Sequence, residues 1–286
     1  MKKIGLSIFN LQKTYGDKRA IEIAKELGAD AVDIDTDHYS MTNPDCVYSK
    51  SDEEIFAYFS ELGEYAASIG IEVSQTHGRL RIFKNDPALD PICLEDARRD
   101  LLAAKALGAP FCVMHGVSRM VLPPNPDPEM ILAKNRELFG IILKFAKRYG
   151  VKVATETCGG AKGEFKNTFD IISKTDENGE WFTTCMDTGH VNKGGAESVG
   201  EAIRILGKDI SCLHLHDNNG KADNHRPLFC GTTDWNDALD AFDEIGYEGV
   251  YNLEINLPCF GKGFELETAA FGIKMLRNIF KTRYVE

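Results

Sequence analysis

The 286-residue sequence predicts an α/β fold, a single (β/α)8 TIM barrel, on three observations. Short β-branched runs alternate with longer amphipathic stretches along the whole chain, with no linker or low-complexity segment between them. Eight such runs can be counted, each followed by a helical pattern, which suits eight parallel strands with their return helices. The G-x-G-x-x-G fingerprint that usually follows the first strand of an open doubly wound sheet is missing. The expected organisation is one barrel domain over residues 1–286.

Taken in order, strands are expected at 3–8 (KIGLSI), 30–35 (DAVDID), 71–78 (IEVSQTHG) and 110–116 (PFCVMHG). Four more follow at 151–157 (VKVATET), 181–190 (WFTTCMDTGH), 210–217 (ISCLHLHD) and 250–256 (VYNLEIN). The stretches between them include KRAIEIAKELG, DEEIFAYFSELGEYAASIG, LEDARRDLLAAKALG and PEMILAKNRELFGIILKFAKRYG, and a last helix is expected near 264–280. Apolar residues recur there at spacings of three and four, which buries one helix face. Several of these stretches end in glycine (28, 70, 108, 150 and 246), the residue favoured just past a helix C-terminus.

Composition narrows the function classes. A hydrophobic content of 43% with 27% charged residues is ordinary for a soluble globular chain. The net charge of −11 argues against a general affinity for nucleic acid or anionic membranes, since phosphate binding needs clustered Lys and Arg. The eight cysteines are scattered without a C-x-x-C pair, and Cys112, Cys185 and Cys212 fall inside apolar strands. They are expected to be reduced, in a cytoplasmic protein. The opening MKKIGLSIFNLQ turns polar too soon for a signal peptide, and no run approaches the length of a membrane helix.

The chemistry gathers in the stretch Ser211–Trp235, around LHLHDNNGKADNH. Side chains alternate along a strand, so His214 and His216 point one way and Leu213 and Leu215 the other. Barrel chemistry sits at the C-terminal ends of the strands. Those ends carry Asp35, His77, His115, Glu156, Asp187 with His190, His214 with His216, and Glu254. A single histidine at a strand end is more often structural than a ligand. Seven such coincidences on one rim are better explained by a single site, and a cation would offset the cost of burying those acids.

The motifs ATETCGG, MDTGH, LEIN and the HDNNGKADNHRP loop ending in TDW resemble the xylose-isomerase-like barrel superfamily, strand by strand over essentially the whole chain. That group contains sugar and sugar-phosphate isomerases and epimerases, inosose dehydratases and the endonuclease IV repair enzymes, and the loop is most similar to the sugar phosphate isomerase/epimerase branch. The resemblance implies a metal set of Glu156, Asp187, His214 and Glu254, with His216 as the second candidate for the His214 role. It places Glu156 and Glu254 as the catalytic acid/base pair. His77, His115, His190, His216 and Arg226 are then expected at the substrate, with Glu164 beside them. The cofactor would be Mn²⁺, Mg²⁺, Co²⁺ or Zn²⁺, and the partner a small sugar or polyol, in a homo-oligomer away from membranes.

Two alternatives come with the same resemblance. One is a tri-zinc abasic-site endonuclease like endonuclease IV, with Asp223 and His225 as further ligands beside His77 and His115. Its DNA contacts would fall to Arg79, Arg81, Lys84, Arg119 and Arg226. The other is an inosose-type dehydratase. Among the remaining residues, Cys158 reads as part of a Gly-assisted turn rather than as a nucleophile. Trp235 and Phe260 suit either an apolar wall over a sugar ring or plain packing.

Overall fold

The computed structural model describes residues 2–117, 127–158, 162, 163, 166, 169, 170, 173 and 180–284. Eight parallel strands form one sheet: β1 Ile4–Ser7, β2 Ala31–Asp35, β3 Glu72–His77, β4 Phe111–Met114, β5 Lys152–Glu156, β6 Phe182–Asp187, β7 Ile210–His214 and β8 Tyr251–Leu253. Neighbours in sequence are neighbours in the sheet, and β1 pairs with β8. The seam between β7 and β8 is bridged above the strands, where Leu215 N donates to Asn252 O and Glu254 N to Leu215 O. The expected eight-stranded barrel is what forms.

Helices α1 Phe9–Tyr15, α2 Asp17–Glu26, α3 Asp52–Ser68, α4 Asp90–Leu107 and α5 Pro128–Tyr149 surround the first strands. After β6 come α6 Thr188–Gly194 and α7 Val199–Leu206, then α8 Trp235–Glu244 and α9 Glu265–Tyr284. Their ends follow from local chemistry. Ser51 caps α3 and Ser198 caps α7 in reciprocal capping boxes with Glu54 and Glu201. Gly108 and Gly150 end α4 and α5 in the left-handed conformation that glycine adopts without strain. Among the described residues no helix is long and apolar enough to cross a membrane.

Several strands are shorter than their sequence runs. The 181–190 run ends as strand at Asp187, because the Asp187 side chain accepts from His190 N and starts a helix there. The 210–217 run ends at His214, and the 250–256 run at Leu253. His115, His216 and Glu254 therefore sit just above the sheet. Inside the barrel, Val113, Ala154, Cys185 and Cys212 form a small apolar layer with Phe111 against it. Two residues further along the same strands come His115, Glu156, Asp187 and His214, so period-two alternation stacks the polar layer on the apolar one. Cys185 and Cys212 thus act as small core residues, and none of the eight cysteines is in a disulfide.

Arg79, expected on the rim, is instead buried. Its Nε and Nη2 donate to the two carboxylate oxygens of Asp100 on α4 at 2.7 and 3.0 Å, and Tyr48 donates to the same carboxylate at 2.9 Å. A guanidinium taken up in this way is closed to DNA phosphates. Its cation needs that partner. Asp100→Ala should therefore cost about 3–5 kcal/mol, the usual penalty for orphaning one side of a buried pair, measured by urea denaturation. A change below about 1 kcal/mol would show that the pair contributes little beyond its own desolvation.

Candidate active site

At the C-terminal mouth of the barrel, Glu156 at the end of β5 is almost fully buried among imidazoles. Its Oε2 lies 2.9 Å from His214 Nδ1, 3.1 Å from His115 Nε2 and 3.5 Å from His77 Nε2. Its Oε1 lies 2.8 Å from His190 Nδ1. Burial disfavours the ionised carboxyl, but His115, His214 and His190 together hold it well below the usual carboxylate range. Glu254, just past β8, closes the other side. Its Oε2 is 3.5 Å from His214 Nδ1 and 3.6 Å from His225 Nδ1, and its Oε1 is 3.9 Å from His77 Nε2.

Asp187 does two jobs at once. Its Oδ1 accepts from His190 N at 2.6 Å and caps α6, while its Oδ2 lies 3.1 Å from His216 Nε2. Two threonines tie these strand ends together. Thr157 Oγ1 accepts from Asp187 N, and Thr188 Oγ1 donates to His216 O and accepts from His216 N. The TGH run is explained by contact: a Cβ on Gly189 would lie 1.9 Å from His216 Cε1. Only glycine lets the helix turn against that ring.

The loop after β7 folds back over the mouth through an antiparallel bridge between Asp217 and Arg226. Asp217 braces it, accepting from Asn218 N, Thr233 N and Trp235 Nε1. This return delivers Asp223 Oδ2 to 3.0 Å from His190 Nε2 and stacks His225 on His216 with ring centroids 3.8 Å apart. His225 takes a positive φ of 46° to do so, a conformation histidine rarely adopts, and donates Nδ1–H to Glu254 O.

The donor set fits a divalent cation. Carboxylates and imidazoles form five overlapping triads whose ligand atoms lie within 4.8 Å of one another: His77–His115–Glu156, His77–His214–Glu254, Glu156–Asp187–His190, Asp187–His216–Glu254 and His216–Asp223–His225. Buried His216 Nδ1 and Asp223 Oδ1 have no hydrogen-bond partner among the described residues. Without a cation, protons balance the acids. Burial works to lower His77, but Glu156 and Glu254 outweigh it and raise the imidazole to about 10. His225 rises to about 9 against burial through Asp223 and Glu254, and His190 and His214 are also raised.

Beside this cluster lies a cavity of about 290 Å³ lined by His77, His225, Glu254, Asp35, Ser7, Asn10, Asn256, Phe9, Leu80 and Ile255. Its lining offers hydroxyl and amide groups as well as apolar carbon.

The family profile described as "Xylose isomerase-like TIM barrel" matches residues 21–279. The chain belongs to that family. The chain is 30% identical over 148 residues, 47% of its length, to the uncharacterized protein MJ1311 of Methanocaldococcus jannaschii, and it spans only half the length of that relative. Among solved structures it resembles a D-tagatose 3-epimerase-like protein at 22% identity and a TM-score of 0.74, covering 98% of this chain and 97% of that one. It also resembles an IolI protein solved with a bound zinc atom, at 17% identity and a TM-score of 0.76, covering 99% and 100% of the two chains. A third likeness is to the 3-keto-D-glucoside 4-epimerase YcjR of E. coli, at 15% identity and a TM-score of 0.73, over 97% and 100%. These likenesses establish the shared barrel.

Of the expected site residues in this xylose isomerase-like barrel, His77, His115, Glu156, Asp187, His190, His214, His216, Asp223, His225 and Glu254 all meet at the mouth. Arg226 is exposed, and its Nη1 donates to Cys230 O at 3.3 Å. Glu164 and Arg119 lie outside the described residues. Trp235 settles on the packing alternative, fully buried with its indole N–H on Asp217, while Phe260 is exposed. The residue that sequence reading missed is Asp33, at the barrel interior below the ligand layer, 3.1 Å from His214 Nε2. Its signal was the alternation in DAVDID, which points Asp33 and Asp35 the same way.

Two outcomes are expected. Gly189→Ala should destabilise the fold by about 1–3 kcal/mol through the clash with His216, measured by thermal denaturation. Unchanged stability would contradict the contact. The second concerns pH. Folded-state values raised above the free imidazole contribute stability that is complete below the unfolded value and is lost as pH rises through the folded value. Chelated protein should therefore lose thermal stability as pH rises from about 7 toward the His225 and His77 values near 9 and 10. Loading with a divalent ion should flatten that slope, because ligating imidazoles are already deprotonated. Identical slopes with and without metal would contradict this.

Proposed function

We propose that this barrel is a divalent-metal-dependent isomerase or epimerase of a small sugar, sugar phosphate or polyol. The observation that carries the reading is the convergence of Glu156 and Glu254, from β5 and from the end of β8, on one imidazole nitrogen of His214 beside a ligand-sized cavity. Paired carboxylates on either side of a reacting carbon are what removal and return of a proton require.

Glu156, Asp187, His214 and Glu254 would hold the cation, which would supply Lewis acidity toward a substrate carbonyl and its neighbouring hydroxyl. Glu254 lines the cavity and takes the proton from the carbon next to the carbonyl. Glu156, once it has drawn a proton from the His190 imidazolium at its Oε1, returns that proton to the other face, which inverts the centre. Return by the same carboxylate to the adjacent carbon would isomerise instead. His77 and His225 line the cavity beside the cation, and Phe9, Leu80 and Ile255 pack the sugar's carbon face. Arg226 stands at the loop edge, where it can reach a distal substrate group.

A second reading rests on a separate observation. His77, His115, His190, Asp223 and His225 gather around the four central ligands, which is the set that a three-ion phosphodiester hydrolase of the endonuclease IV type would use. Against it stand the net charge of −11 and the loss of Arg79 to Asp100, which leave Arg81, Lys84 and Arg226 as the described rim cations.

Incubation of the metal-loaded enzyme with a panel of ketoses in D₂O should exchange the hydrogen next to the carbonyl, read by mass spectrometry. Glu156→Gln and Glu254→Gln should each lower that exchange by at least about 10²-fold. Cleavage of an abasic-site duplex with no exchange on any ketose would replace this reading with the second.

A further inference from the structure

Three of the imidazoles at the mouth declare which nitrogen faces inward, and one of them is turned around. His77 donates Nδ1–H to Gly78 O, and His225 donates Nδ1–H to Glu254 O. His190 sets no such preference, since its Nδ1 lies between Thr157 O at 3.1 Å and Glu156 Oε1 at 2.8 Å and its Nε2 is 3.0 Å from Asp223 Oδ2. A carbonyl oxygen only accepts, so in His77 and His225 the proton belongs on Nδ1 and the Nε2 lone pair is left for the centre. His214 is reversed. Its Nε2 lies 3.1 Å from Asp33 Oδ2 in a fully buried contact, and its Nδ1 faces Glu156 and Glu254 at 2.9 and 3.5 Å.

Asp33 is built for this contact. The same Oδ2 accepts from Gln75 Nε2 at 3.2 Å and from Asn252 Nδ2 at 3.3 Å. Two amide donors from β3 and β8 therefore hold the carboxylate as an acceptor on the barrel axis, below the ring. His216, on the same face two residues later, has no such support. Its Nε2 is at Asp187, and its Nδ1 is buried without a partner. Ligating imidazoles almost always donate their other N–H to a carboxylate or carbonyl, which fixes the tautomer and raises the ring's basicity.

We infer that Asp33 is a positioning residue that locks His214 in the Nε2–H tautomer, so that His214 binds the central cation through Nδ1 and His216 serves to orient Asp187. The inference rests on the reading of this cluster as a divalent-metal centre, and it decides between the two histidines of LHLH on structural grounds. Asp33 itself touches neither the ion nor the substrate. It acts through the ring.

The test uses the full chain, labelled with ¹⁵N-histidine and loaded with ¹¹³Cd²⁺. Cadmium–nitrogen coupling should appear at Nδ1 of His214, with a proton retained on its Nε2. Coupling at Nε2 of His214, or coupling only to His216, overturns the inference while leaving the metal centre standing. If no cadmium binds at all, the reading of the centre falls first and takes the inference with it. Calorimetry supplies a second measure. Asp33→Leu should weaken Cd²⁺ binding by about 10–100-fold. Asp33→Asn, which keeps an acceptor oxygen under the ring, should stay within a few-fold of the native protein. Native affinity in Asp33→Leu, or an equal loss in both variants, overturns the hydrogen-bonded lock. Should Asp33→Leu fail to fold, the spectrum of the native protein still decides.

Discussion

Glu156 is buried with imidazoles against both of its oxygens, and much of the barrel mouth is arranged around that one charge. An isolated carboxylate in such a place would be strongly disfavoured, so it either finds counter-charge or takes up a proton. Here His115, His190 and His214 supply the counter-charge, and Asp187 and Glu254 add further acid that needs the same compensation. A fold that concentrates four acids and six imidazoles at one mouth suits a cation. Without a cation, protons fill that role.

The barrel geometry makes this concentration possible. Period-two alternation returns each strand to the interior every second residue, so a small apolar layer of Val113, Ala154, Cys185 and Cys212 can carry a polar layer directly above it. The layer below the mouth is not uniformly apolar. Asp33, Gln75 and Asn252 form a polar sector on the β2, β3 and β8 side, directly beneath His214. The loop after β7 completes the site from above, held by the Asp217–Arg226 bridge and by Trp235 on Asp217. Its strained His225 backbone is consistent with a conformation held for the sake of the site.

Much of this was legible in the sequence. Eight β-branched runs gave eight strands, and acids or imidazoles at their ends gave the polar cluster at the mouth, because both signals depend on local periodicity. The readings that failed depend on contacts between distant segments. Arg79 looked like a rim cation, since nothing near it in sequence shows that Asp100 on α4 will take its guanidinium. Asp33 was passed over for Asp35 because alternation gives the face of a strand and not the depth of a layer. Strand ends were drawn too long wherever a side chain, such as that of Asp187, starts a helix by capping it. The choice between His214 and His216 was open for the same reason, since the carboxylate that separates them comes from the far side of the barrel.

The central claim is that this cluster is a metal centre, and metal analysis tests it most directly. Protein purified without chelator or added metal would be assayed by elemental analysis, with anomalous diffraction to place any ion. A divalent ion is expected among Glu156, Asp187, His214 and Glu254. Full occupancy of three ions that also engage His77, His115, Asp223 and His225 would move the protein to the nuclease reading. Protein that holds no ion, and takes up none when dialysed against Mn²⁺, Co²⁺ or Zn²⁺, would contradict the account outright.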